Sequence, residues 1–396
     1  MEKVINLSDF PEDKIYLSFD DVTRSKLIDN SVKRLRLKNY FELSLLVNKR
    51  FEVKINGGDI KYWKEGKRLD RRTGKVHPKF MPLWIVKFLS DLNKISLNSL
   101  SSNVLSYRSG GSGLIVNKPI IPIKVTPELD SFVIHLFADG SAGNFTPSYM
   151  QKRKSSFDNF LKKLENCFGS FQKSIYTTEN RYQLRFPKAI TDVISNYYGV
   201  KSYLTYSSEV PAQIMNRANK KFKLASIVAF VVDEGYVRDV ISVYSSNKKL
   251  VSQIRRLVLD CDYGCSDIQF NGRAGSYLFT LSNKDIKKFY NDVQDLSEEF
   301  PTCSLQFRDS DVRFIIDVIN INNPKDSKIT NEAIIEILSN KELSAKSISK
   351  LIKYAYCTVL HRLQKMLKDG VVKRKKSLNG TYIWSVVKGK KKILSS

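Results

Sequence analysis

The segment Phe132-Val-Ile-His-Leu-Phe-Ala-Asp139-Gly140 decides how this sequence is read, because Ile227-Val-Ala-Phe-Val-Val-Asp-Glu234-Gly235 repeats its form later in the chain. Each is an apolar run closed by an acid and a glycine. The length and apolar character of each run predict a buried helix, and a glycine just past the last turn predicts a left-handed stop at Gly140 and at Gly235. Asp139 and Glu234 then lie at the C-terminal ends of two helices. That end carries the negative pole of the helix dipole, so a carboxylate there is raised in energy unless a cation neutralises it. A divalent metal meets that need. Two such helices in one chain predict a duplicated scaffold with a symmetric pair of metal-binding carboxylates.

Outward from each run the order of elements recurs, which is stronger evidence of duplication than either run alone. After Gly140 come a short polar segment to about Lys154, a helical stretch from Ser156 to Cys167, two strand-like runs between Ser170 and Phe186, and a helix from Lys188 to Tyr198. After Gly235 the pattern predicts a strand from Tyr236 to Tyr244, a helix from Ser246 to Leu259, a hairpin from Ile268 to Leu281 and the start of a helix from Asn283 to Tyr290.

The two ends of the chain read differently. Residues 1–108 predict a helical, helix-turn-helix-like DNA-binding domain: a helix over Phe41 to Val47, a turn at Gly57-Gly58, a helix starting at Asp59, and another from Pro82 to Leu89. Lys61, Lys64, Lys67 and Arg68 accompany the second helix, as a helix entering a DNA groove requires. Ser109-Gly-Gly-Ser-Gly113 opens a linker over 109–127. Residues 323–396 are strongly basic and predict three helices, from Thr330, from Ser344 and from Tyr356 to Lys368, stopped by Asp369-Gly370. Two strands follow, around the turn Leu378-Asn-Gly380. Three helices and a basic hairpin make a winged helix-turn-helix, with Lys373, Arg374, Lys375 and Lys376 set to meet phosphates.

Composition fits this picture. The 396 residues are enough for several domains, and 66 Lys+Arg against 40 Asp+Glu leave a net charge of +26 that favours a polyanion. Double-stranded DNA is the expected partner. A membrane is not, since no apolar stretch approaches the ~20 residues needed to span one. The N-terminus lacks a signal-peptide core, so an intracellular location, in cytoplasm or nucleoid, is expected. Cys167, Cys261, Cys265, Cys303 and Cys357 are scattered and far from His77, His135 and His361, which argues against both a disulfide framework and a zinc site.

The paired segments resemble the motif helices of the LAGLIDADG homing endonucleases in their single-chain, two-motif form, over roughly residues 115–305. The resemblance implies an α+β fold: a duplicated αββαββα saddle with repeats over 128–205 and 206–322, the motif helices packed at its centre, and the strands straddling DNA. It implies a monomer with internal pseudo-two-fold symmetry. The acids of the eighth motif position, Asp139 and Glu234, are then the catalytic residues that bind Mg²⁺ or Mn²⁺, and Gly140 and Gly235 are the motif glycines. Gln151, Lys152, Arg185, Lys188, Arg238 and Arg273, in or beside the saddle strands, are the candidates for DNA contacts. The third motif position holds Ile134 and Ala229, which predicts a looser helix contact, and His135 is expected as a core residue without a catalytic role.

Phosphodiester hydrolysis at neutral pH needs an activated water and a neutralised leaving oxygen, and a metal held by carboxylates supplies both. Two strand cuts need two such sites. The resulting expectation is a free-standing, site-specific, Mg²⁺-dependent double-strand DNA endonuclease without splicing residues. The alternatives are a DNA-binding transcription regulator on a non-catalytic scaffold of this type, and an RNA maturase.

Overall fold

The computed structural model describes residues 3–70, 72–110, 112–142, 146–204, 206–320, 327–377 and 380–387. The turn expected at Leu378-Asn379 and Gly111 of the expected linker lie outside these residues. The fold mixes helices with small antiparallel sheets, an α+β arrangement.

The first part of the chain runs β1 (Val4–Ile5), β2 (Ile15–Phe19), α1 (Asp21–Arg34), α2 (Tyr40–Phe51), α3 (Gly57–Glu65), β3 (Lys67–Leu69), β4 (Val76–Pro78), β5 (Met81–Pro82), α4 (Leu83–Leu92), β6 (Val104–Ser109), β7 (Val116–Pro119) and β8 (Ile123–Lys124). Side-chain caps start its helices: Asp20 accepts from the Thr23 amide, Asn39 from Glu42 and Asn56 from Asp59. Gly57-Gly58, expected as a turn, forms the first turn of α3. The reciprocal capping of Asn56 and Asp59 nucleates a helix there, and a Cβ on Gly57 would lie 3.1 Å from the Phe41 backbone of α2. This part is also not purely helical. The segment expected as a linker supplies β7 to a five-stranded sheet of order β11-β7-β6-β2-β5, where β11 is Gly169–Phe171 from the middle of the chain, and supplies β8 as the partner of β1. Strand β2, Ile-Tyr-Leu-Ser-Phe, alternates buried and half-buried positions as one face of a sheet demands.

In the middle of the chain one order of elements occurs twice. One unit is α5 (Pro127–Ala138), β9 (Gly140–Ser141), β10 (Ser148–Gln151), α6 (Lys154–Phe168), β11, β12 (Ser174–Thr178), β13 (Arg181–Arg185) and α7 (Lys188–Tyr198). After a single helical turn, α8 (Ala212–Met215), the other is α9 (Lys220–Glu234), β14 (Gly235–Val237), β15 (Ile241–Ser245), α10 (Lys248–Asp260), β16 (Gln269–Asn271), β17 (Ser276–Thr280) and α11 (Ile286–Glu299), with α12 (Asp309–Asn320) behind it. The sheets have corresponding orders, β9-β10-β13-β12 and β14-β15-β17-β16. The strand expected over Tyr236 to Tyr244 is two strands, because the chain reverses at Arg238 to Val240 and pairs Gly235 with Val243.

Helices α5 and α9 pack against each other more extensively than any other two elements. Thr126 caps α5 with Pro127 in its first turn, and Asn219 caps α9. Both helices are apolar nearly all round, as central helices must be, and Phe132, Ile134, Leu136, Ile227, Ala229 and Val231 are all within 1% of full burial. The core they anchor runs continuously from Ile5 to Ile315. Ser109 donates to Asp192 of α7 at 2.5 Å and Asn196 to the Asp9 carbonyl at 2.8 Å, binding the first part of the chain to the middle.

The two motif glycines are needed for a different reason than a left-handed stop. Gly235 is extended, with φ −80 and ψ 142, and Gly140 opens strand β9. Each leaves its helix straight into a strand that folds back past the last turn. A Cβ on Gly140 would fall 2.5 Å from Leu136 Cα, and one on Gly235 2.2 Å from the Val231 carbonyl oxygen. Absence of a side chain, rather than freedom of φ, is what these positions require.

Beyond α12 come α13 (Ser327–Asn340), β18 (Leu343–Ser344), α14 (Ala345–Ile352), α15 (Tyr356–Lys368), β19 (Val372–Lys376) and β20 (Tyr382–Val386), with sheet order β18-β20-β19. Ile334, Ile348, Val359, Leu363 and Trp384 form a separate small core. This unit docks on the middle of the chain through charge. Asp239, in the β14–β15 turn, accepts from the amides of Tyr356 (2.5 Å) and Cys357 (3.0 Å) at the start of α15, and Asp311 of α12 pairs with Lys346 (3.1 Å) and Lys350 (3.2 Å) of α14. A carboxylate at a helix N-terminus meets both free N–H groups and the positive end of the dipole.

Gly235→Ala should destabilise the protein by about 1–3 kcal/mol, the usual cost of an overpacked site, and thermal unfolding measures it. Asp239→Ala should leave the large core intact and speed hydrogen exchange at the Tyr356 and Cys357 amides, which lose their acceptor.

Candidate active site

Sequence and backbone together bring the acids to one end of the helix pair. Asp139 is the residue that closes α5 and Glu234 is the last residue of α9. The Asp139 amide donates to the His135 carbonyl, and its own carbonyl accepts from the Met150 amide in β10, so the helix end and the strand hold its backbone from both sides. A cleft of about 460 Å³ opens there. Asp139, Asp233 and Gln151 are among the residues that line it, beside Lys152, Arg153, Arg181 and Arg308.

Asp233, one residue before Glu234, has a fully enclosed side chain. Its Oδ1 accepts from Tyr149 Oη at 2.8 Å and from Gln151 Nε2 at 2.9 Å, and Gln151 also donates to Asp139. One amide thus bridges the carboxylates of the two helices. Asp233 Oδ2 lies 2.7 Å from His135 Nδ1, whose Nε2 is 2.9 Å from Lys163 Nζ, and Lys163 donates in turn to Ser131. A lysine ammonium only donates, so Nε2 accepts and the imidazole proton is on Nδ1, directed at Asp233. His135 is therefore the core residue expected, and it also steadies an acid of the site.

The acids are electrostatically uncomfortable. Burial, then the charges of Asp233 and Glu234, push the Asp139 carboxyl up to about 8. Burial raises Asp233 as well, against the hydrogen bond from Tyr149, and burial followed by the charge of Asp233 moves Glu234 to about 6. Burial lowers His135 well below its ordinary value and the charge of Lys163 adds to this; burial likewise lowers Lys163. On the cationic side Arg308 donates to the Gly235 carbonyl, and its buried Nε has no partner among the described residues. Among the described residues no three His, Cys, Asp or Glu form a metal-holding group. Mg²⁺ takes one or two protein carboxylates and completes its shell with substrate phosphate and water, so Asp139, which lines the cationic cleft, and Glu234 at the neighbouring helix end are the residues that would hold it.

The other expected contact residues scatter. Gln151 and Lys152 reach the cleft, whereas Arg185, Lys188, Arg238 and Arg273 do not line it. Arg185 of β13 lies over Tyr176 at 4.9 Å, Lys188 opens α7, and Arg273 is exposed between β16 and β17. Arg238 sits between Tyr236 (5.1 Å) and Tyr356 (4.6 Å), against the C-terminal unit. Lys373, Arg374, Lys375 and Lys376 are exposed along β19; Arg374 lies over Tyr382 at 4.4 Å and Lys375 pairs with Glu342. Asp233, Tyr149, Lys163 and Arg308 escaped the sequence reading. An aspartate inside an otherwise apolar run was the one available signal, and it pointed at Asp233.

No protein-family model and no curated protein matches the sequence. Solved structures that resemble part of the fold include mesophilic variants of the homing endonuclease I-DmoI, at 16% identity and TM-score 0.32, covering 42% of this chain and 94% of that one. I-DmoI in complex with DNA and Mn gives 16% identity and TM-score 0.32, over 42% and 96%. Full-length DUF199/WhiA from Thermatoga maritima gives 10% identity and TM-score 0.30, over 61% and 90%. This likeness is a weak one at the level of fold.

The raised carboxyls set a pH dependence. A group with a raised folded-state pKa contributes stability that is complete below its unfolded value and is lost as pH rises through the folded one. Without divalent metal, the melting temperature of the protein should therefore fall between about pH 4 and pH 8. Asp139→Asn should flatten that fall, and a melting series in EDTA checks both.

Proposed function

We propose that this chain is a site-specific double-strand DNA endonuclease of the LAGLIDADG homing type. The observation that carries the reading is the set of Asp139, Asp233 and Glu234 at the adjoining ends of two packed helices, with Asp139 and Asp233 lining a cleft edged by Lys152, Arg153, Arg181 and Arg308. Residues 128–205 and 206–322 act as the repeats of one saddle in a monomer with pseudo-two-fold symmetry. Residues 1–108, followed by 109–127, and a winged helix over 323–396 extend the DNA contacts, and the protein works inside the cell. No described helix is long and apolar enough to cross a membrane.

Mg²⁺ or Mn²⁺ held by Asp139 and Glu234, with Asp233 beside them, supplies charge neutralisation at the leaving oxygen and an acidified water. The chain's own residues do the rest. Arginine guanidinia at the cleft rim match phosphate in planar, two-bond geometry and hold the backbone over the acids. Gln151 fixes the spacing of Asp139 and Asp233 by donating to both, and His135 with Lys163 holds Asp233 in one rotamer. Burial of this layer limits water to what the cleft admits and strengthens each charge interaction there.

A second reading, a DNA-binding regulator on the same scaffold, is favoured by the C-terminal unit, whose helix, strand, helix, helix and two-strand order suits a winged helix. It requires binding without cleavage. Incubation with a DNA library and Mg²⁺, followed by sequencing of fragment ends, should yield defined ends for the wild type. Asp139→Asn or Glu234→Gln should cut on the order of 10³-fold more slowly, the scale of several kcal/mol of metal-assisted stabilisation, while DNA affinity is kept. DNA binding in Mg²⁺ with no ends above background moves the assignment to the regulator.

A further inference from the structure

A second cationic hollow lies far along the chain from the acids, in the N-terminal part. Strands β3 and β4 form a two-stranded ribbon in the register Lys67 to Pro78, Arg68 to His77 and Leu69 to Val76, and all six residues are exposed. A hollow of about 870 Å³ beside the ribbon is lined by Tyr62, Arg68, Arg72, His77, Lys79 and Arg108, among others. The Arg68 guanidinium and the Lys79 ammonium both approach the Tyr62 ring, at 5.6 and 6.0 Å, and Arg108 lies over Phe80 at 4.3 Å. Among the described residues the buried Nε of Arg108 has no hydrogen-bond partner.

Among the described residues Arg68, Arg72 and Lys79 form no ion pair, and Asp70 is the one acid that lines the hollow; its Oδ1 accepts from the amides of Arg72 (2.9 Å) and Thr73 (3.4 Å), and its single charge offsets only part of theirs. Lys64, expected from the sequence to face DNA, is instead held by Asp29 at 2.9 Å and by Tyr40 at 2.8 Å. What distinguishes Arg68, Arg72 and Lys79 from the other exposed cations of this part of the chain is that they gather around one hollow.

We propose that this ribbon and hollow bind the sugar–phosphate backbone of duplex DNA. A two-stranded ribbon fits the major groove, and guanidinia beside it match phosphate oxygens. Leu69 and Val76, a directly paired apolar couple exposed by 56% and 59%, meet sugar or thymine methyl rather than water. The order of α1, α2, α3 and ribbon parallels that of α14, α15, β19 and β20 in ending helices with a basic hairpin, so such a device stands at each end of the chain. The proposal rests on the DNA-binding half of the proposed function and is independent of cleavage.

The test uses the full chain and a random-sequence 40-base-pair duplex in EDTA, with affinity measured across a salt series. The triple variant Arg68→Ala, Arg72→Ala, Lys79→Ala should lower the slope of log K against log salt by about 0.9 for each phosphate no longer neutralised, up to roughly 2.7 in all. A control triple on α1, Lys26→Ala, Lys33→Ala, Arg34→Ala, removes the same charge and should leave the slope nearly unchanged. Circular dichroism and melting confirm that both variants fold. An unchanged slope in the ribbon variant overturns the proposal, as does an equal fall in the control. A fall of the same size on duplex RNA that binds as tightly as the DNA overturns the assignment to DNA. Wild-type protein that does not bind the duplex at all overturns the DNA partner itself, an outcome distinct from binding with an unchanged slope.

Discussion

The close packing of α5 on α9 is the constraint from which the rest follows. Two helices that are apolar on nearly every side can satisfy that surface only at the centre of the molecule, with the two repeated units arranged around them. Once they lie side by side, their acids meet. Burial then raises all three carboxyls above their ordinary range, repulsion from neighbouring acids adds to it at Asp139 and Glu234, and the surrounding structure has to hold them there against that cost. The glycines belong to the same constraint, since the strand after each helix turns back so closely on the last turn that no Cβ fits.

The polar layer under the acids is the other half of that balance. Asp233 accepts from Tyr149, Gln151 and His135, and His135 is fixed by Lys163, which rests on Ser131. Each buried polar group in the series has a partner, and a partly satisfied network at this depth would be worse than apolar packing. The layer is asymmetric: it lies under the acid of the second helix and draws its members mainly from the first unit. The two units share an order of elements but not the side chains of this layer.

Charge is distributed with a purpose that net charge alone does not reveal. Some basic residues are consumed inside the molecule, as where Asp311 takes Lys346 and Lys350, and Asp239 takes the start of α15. Others lie at the surface without an acid partner among the described residues, as do Lys373 and Lys376 of β19 and Arg68 of the β3–β4 ribbon.

The periodicity of the sequence was enough to locate the two central helices, their terminal acids and the recurrence of the elements around them, because helix formation, capping and strand alternation act over a few residues. It also marked the C-terminal helices and hairpin, where Ser344 caps α14 and Gly370, at φ 66, follows the end of α15. Long-range pairing decided the rest. β7 and β8 became sheet strands in a stretch whose glycines and prolines read as linker, because β6, β11 and β1 offered open edges to pair with. Gly57-Gly58 became helix rather than turn through a cap whose competition with the turn no local propensity ranks. Asp233, Gln151, His135 and Lys163 became one network only because α5, α6, α9 and β10 converge, and hydrogen bonds between residues so distant in sequence exist only after the chain has folded.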